Sequence, residues 1–191
     1  MTTLKKYEEF KIAVNCLIGE TSTLKEFSTR LKEDPELSIF RRNAREELQS
    51  IYNLIQRYFD LPALPVYLPV RKKIVVQGRA FNAWGTPTEV RLYPIRGCQT
   101  KPYEAWTPAD LTCLSQLEIF ETLVHEIAHV LEAHRNGSMG HEKPFVDAYE
   151  AIEAFLKSQG FLELFSPALR LMGVPMGSYA AWVSSTSDRK Q

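Results

Sequence analysis

Residues 115–137 constrain the fold of this chain more tightly than any other stretch. Ser115 and Glu118 stand at capping-box spacing, and Asn136-Gly137 supplies residues suited to ending a helix in the left-handed conformation. Between these signals Phe120, Leu123, Val124, Ile127 and Leu131 recur at helical spacing. The pattern predicts an amphipathic helix over residues 116–134 whose apolar stripe must be covered by a core. A second helix is predicted to begin near Pro144, because a first turn loses nothing from proline's missing N–H. It runs to Gly160, with Phe145, Ala148, Tyr149, Ile152, Phe155 and Leu156 on one face.

The material to cover these stripes lies upstream. From Leu4 to about Asp60 apolar residues again recur at helical spacing, as in Ile51, Leu54, Ile55 and Tyr58, with breaks at Thr21, Ser22 and Pro35. Two or three helices fit this stretch. Residues 61–69 are proline-rich, and residues 73–77 and 88–93 read as strands. In the second strand Val90 and Leu92 alternate with Glu89, Arg91 and Tyr93, giving one buried and one wet face. Gly78 and Gly85-Thr86-Pro87 punctuate a small antiparallel meander, and residues 93–108 read as irregular. The expected organisation is an N-terminal helical segment over residues 1–60, an α+β unit over residues 61–183 and a polar tail over residues 184–191. In the α+β unit a small antiparallel sheet packs against the two helices.

Charge and cysteine usage narrow the class. Lys plus Arg and Asp plus Glu both number 23, so nucleic acid is not indicated as a partner. No apolar run approaches the roughly 20 residues of a membrane span, and no N-terminal stretch has the form of a secretion signal. Cys16, Cys98 and Cys113 are odd in number and scattered, which fits reduced thiols rather than a disulfide framework. A soluble cytoplasmic protein is expected.

The chemistry is concentrated inside the first predicted helix, in Val124-His125-Glu126-Ile127-Ala128-His129-Val130. Positions four apart differ by about 40° around an α-helix, so His125 and His129 share a face and can share one ion. Glu126 directly follows the first histidine, where its carboxylate can take a proton from water without serving as a ligand. All 4 histidines of the chain fall between His125 and His141. Imidazole is a borderline ligand suited to zinc, so Zn2+ is the expected cofactor.

A third ligand must come from outside the motif. His134 lies about 140° from His129 and about 180° from His125 around the helix, so it points away from an ion held by that pair. His141 lies beyond the helix stop, on a loop that can turn back over the metal face, and is preferred. An acidic ligand from the second helix is the remaining contender. Asp147 and Glu150 fall opposite its apolar face, which leaves Glu153, flanking that face, as the best placed of the three.

These residues resemble the zinc-binding core of SprT-like metallopeptidases and related phage and bacterial zincins. The likeness covers roughly residues 79–160: a strand, the His-Glu-x-x-His helix, a loop with Gly140-His141, Phe145 four residues beyond, and a following helix. It implies a zincin-like fold, zinc bound by His125, His129 and His141, and a catalytic role for Glu126. Glu142 stands where the family has glycine, and Lys143-Pro144 precedes the phenylalanine. The paired cysteines of the family's zinc-ribbon extensions are missing, so cleavage tied to DNA is not implied. Metzincins fit less well, since Glu132 and Arg135 occupy the positions of their glycine and third histidine. Cys113-Leu114-Ser115 offers only a faint likeness to peptide deformylases, and Cys113 reads as a buried thiol on helix just before the motif.

The expected activity is therefore zinc-dependent hydrolysis of a protein or peptide substrate, with water activated by Glu126. Tyr149, Tyr93 and Arg91 are candidates to stabilise the oxyanion. Residues 88–93, if they form a sheet edge, can hold an extended peptide by strand addition. Two alternatives remain open: a zinc hydrolase of a non-peptide substrate, and a non-catalytic zinc-binding interaction protein with a closed four-ligand site.

Overall fold

The computed structural model describes residues 4–70, 78–83, 86–98, 100–137 and 139–161, with residues 78–83 described through their backbone. Three helices come first: α1 (Lys5–Glu20), α2 (Leu24–Glu33) and α3 (Pro35–Phe59). Their boundaries follow the local signals. Thr23 caps α2 by accepting from the Glu26 amide, and Asp34 caps α3 by accepting from the Glu36 and Leu37 amides, with Pro35 in the first turn. No local side chain caps α1; instead Glu47 of α3 accepts from the Lys6 and Tyr7 amides at 3.2 and 2.9 Å. Tyr7, Phe10, Val14 and Leu17 bury the inner face of α1.

The proline-rich stretch after α3 runs back along that helix, held by its polar side chains. Tyr52 donates to the Pro62 carbonyl at 2.7 Å, Gln56 to Leu61 at 2.9 Å and Gln49 to Leu64 at 3.1 Å. Gln49 also accepts from the Val66 amide, delivering the chain into β1 (Val66–Tyr67). β1 joins β2 (Gly78–Ala83) and β3 (Thr86–Leu92) in a sheet of order β1-β3-β2. The expected sheet is corrected in one respect: it is mixed, because β1 lies parallel to β3 while β2 is antiparallel to it. The strand expected at residues 73–77 lies outside the described residues, as do the tail and the rest of residues 162–191. β3 is the central strand, paired on both sides, so it is not the edge considered for strand addition.

The stretch expected to be irregular contains order of its own. β4 (Ile95–Gly97) pairs antiparallel with β5 (Leu111–Cys113), and short 3-10 turns at Tyr103–Ala105 and Pro108–Asp110 connect them. The Trp106 ring lies against Gly97, where any side chain would collide with it. Cys113 is thus on a strand rather than a helix, and it is buried. Cys16, Cys98 and Cys113 form no disulfide with one another.

The last elements among the described residues are α4 (Gln116–Asn136) and α5 (Lys143–Ser158). The Ser115–Glu118 capping box is formed, and Gly137 ends α4 at φ 68°, two residues beyond the expected end. Ile119, Phe120, Leu123, Val124, Ile127, Val130 and Leu131 are at most 0% exposed. Each such side chain contributes about 1.5–3 kcal/mol on burial, which is why this helix anchors the fold. α4 packs on β3, β2 and α5. One hydrophobic core runs from Leu4 to Leu156, so the N-terminal helices share it with α4 and α5. The architecture is α+β. Among the described residues no helix is long and apolar enough to cross a membrane.

Candidate metal centre

His125 and His129 project from successive turns of α4, and their Nε2 atoms lie 3.2 Å apart. Gly137 then turns the chain back through a loop that brings in His141, whose Nε2 lies 3.1 Å from that of His129 and 3.3 Å from that of His125. Beneath them Phe145, fully buried at the start of α5, forms a common floor. Its ring centroid is 4.9, 4.5 and 5.0 Å from those of His125, His129 and His141.

Three converging Nε2 atoms cannot satisfy one another. Each is either a donor or an acceptor, so in a triangle at least one pair must set two N–H groups or two lone pairs face to face. A cation that accepts all three lone pairs removes the conflict. The distances suit it: tetrahedral zinc with bonds of about 2.0–2.1 Å separates its nitrogens by about 3.3–3.4 Å. The three histidines therefore lie close enough to bind one metal ion. Burial and the neighbouring imidazoles push His125 down to about 3, and the same causes push His129 to about 4. Burial also lowers His141, opposed by the nearby Glu132 carboxylate. All three rings are neutral at pH 7 with lone pairs available, as metal binding requires.

Glu126 is 5% exposed and lies about 60° around α4 from His129. The other candidates are not brought to the cluster. His134 is exposed on the last turn of α4. Asp147 and Glu150 are exposed, with Asp147 paired to Lys143 at 3.0 Å. Glu153 is buried rather than merely flanking the apolar face, and it pairs with Lys157. Among the oxyanion candidates, Tyr149 has its ring 6.3 Å from Phe145 below the histidines, whereas Tyr93 is 2% exposed within the core. Arg91 pairs with Glu89 and lines a cleft of about 520 Å³ with Arg41, Arg42 and Arg45, to which none of the three histidines contributes.

One participant was not anticipated. Glu132 is 2% exposed, and its Oε2 accepts from the Gly140 amide at 2.9 Å while lying 3.8 Å from Nδ1 of His129. The available signal was its place on α4, about 20° from His125 and therefore on the metal-facing side. No family model, curated protein or solved structure matches the chain.

Proposed function

We propose that this chain is a zinc-dependent metallopeptidase of zincin-like fold, in which His125, His129 and His141 hold one zinc ion and Glu126 is the general base. The observation that carries the reading is the convergence of three histidine Nε2 atoms, with a buried glutamate directly following the first histidine in the sequence. A zinc ion held by His125, His129 and His141 would supply a nucleophilic water near neutral pH and a Lewis acid for the carbonyl. Glu126 takes the water's proton on a carboxylate oxygen and hands it to the leaving nitrogen. The zincin-like reading is supported by the order of parts: a sheet packed on the motif helix, a ligand-bearing loop, then a second helix.

Peptides are favoured over other carbonyl substrates by the SprT-like spacing of His141 and Phe145. β2, the outer strand beside β3 among the described residues and also packed on α4, would offer its main chain to an extended peptide. A structural zinc is the second reading, and it calls for a fourth protein donor. The metal-capable group among the described residues has His125, His129 and His141 only.

Replacing Glu126 by Gln tests the assignment, because it keeps size and removes the base. At equal metal loading the variant is expected to hold about one zinc per chain, unfold near the parent's Tm, and cleave an unstructured protein about 10²–10⁴ times more slowly. A Gln variant as fast as the parent removes Glu126 from the mechanism. A parent that binds zinc yet cleaves neither peptides nor small esters favours the structural reading.

A further inference from the structure

We propose that Glu132 is the positioning residue of this centre: its buried carboxylate ties the loop bearing His141 to α4 and sets the ring of His129, so that two of the three ligands are placed by one side chain. The inference rests on the metal-site reading above.

A carboxylate in the last turns of a helix opposes the helix dipole, and burying it adds a desolvation cost. Glu132 nevertheless occupies this place at 2% exposure. Two neighbours give it a purpose there. Its Oε2 accepts the Gly140 N–H at 2.9 Å, on the residue immediately before His141. Its Oε1 also lies beside Gly140, 3.8 Å from where a Cβ would stand. The loop thus returns to α4 eight residues after Glu132 and is fixed there by a charge-assisted hydrogen bond.

The second neighbour is His129, at a distance longer than a hydrogen bond. Its Nε2 faces the other imidazoles, so in the metal-binding tautomer the proton sits on Nδ1. That atom is buried without a hydrogen-bond partner, and Glu132 Oε2 stands 3.8 Å away. A shift of about 1 Å would complete the carboxylate–histidine–metal arrangement that fixes a ligand's tautomer and orientation. Glu132 touches neither the ion nor the reacting atoms; it acts through His129 and Gly140.

The test is a double-mutant cycle on the full chain with Glu132→Ala, His141→Ala and the pair, read by zinc affinity in chelator competition and by the visible spectrum of the cobalt(II) form. Glu132→Ala is expected to weaken zinc about 10–100-fold. With His141 already replaced it should cost severalfold less, because the loop then carries no ligand. Glu132→Gln keeps an acceptor for the Gly140 N–H, so it should restore most of the affinity, and it remains informative if the Ala variant does not fold. In the metal-free protein, amide exchange at Gly140 should accelerate in Glu132→Ala while the core of α4 keeps its protection. Equal losses with and without His141, or no rescue by Gln, would overturn the proposal. If the parent binds no zinc, the metal reading fails, and unchanged Gly140 exchange would separately show that Glu132 does not hold the loop.

Discussion

His134 and His141 are chemically identical and seven positions apart, yet only one has its Nε2 within 3.3 Å of both motif histidines. The difference lies in the backbone. His134 is fixed to the far side of α4 by helical geometry, while His141 is released by Gly137 and recaptured through Gly140. His141→Ala is therefore expected to weaken zinc by more than about 100-fold, and His134→Ala by less than about 2-fold, in the same competition titration. The reverse order would remove His141 from the ligand set. The motif pair could be read from spacing because four residues make a fixed angle on a helix. Spacing puts Glu132 on the same face, but its role could not be read, because its partner is a loop amide whose return depends on the fold.

At the scale of elements, Gly137 is the joint between the helix that carries His125 and His129 and the loop that carries His141. It sits at φ 68°, ψ 15°, and an added Cβ would meet nothing within 4 Å. Gly137→Ala therefore meets only the backbone cost of the left-handed conformation, about 1 kcal/mol, or about 2–4 °C in Tm for a chain of this size. An Ala variant that melts with the parent would mean the turn does not need that conformation. That stop was legible in the sequence, as was the Ser115–Glu118 box, since a cap is decided within four residues, whereas the Thr23 and Asp34 caps were foreshadowed only by the breaks read at Ser22 and Pro35. β1 was not: two residues carry no periodicity, and their parallel pairing with β3 is set by Gln49 on a helix 17 positions earlier. β4 and β5 escaped for the same reason, being three residues each and paired across the Trp106 loop.

For the whole molecule, the centre links metal, protons and stability. His125 and His129 fall from an ordinary 6.5 to about 3 and about 4 in the folded chain, and His141 falls too. In the window between these values and 6.5 the unfolded chain binds more protons than the folded one. The contribution of these groups is then fully present above pH 6.5 and is lost as pH falls toward the folded values. The metal-free protein should accordingly show a Tm independent of these histidines above pH 6.5 and declining from about pH 6.5 to 4. On the proposed metal-site reading, zinc would favour the folded arrangement of α4 and its loop and add stability on top of this. Free zinc at a hundredfold its Kd adds about 2.7 kcal/mol, which corresponds to about 5–10 °C. Replacing His125, His129 and His141 together by Gln should abolish the zinc increment and flatten the acid slope of the metal-free form. Thermal melts of parent and triple variant across pH 4–8, with zinc and with a chelator, measure both effects. If the triple variant keeps the parent's acid slope, carboxylates elsewhere in the chain govern it and the depressed histidines do not.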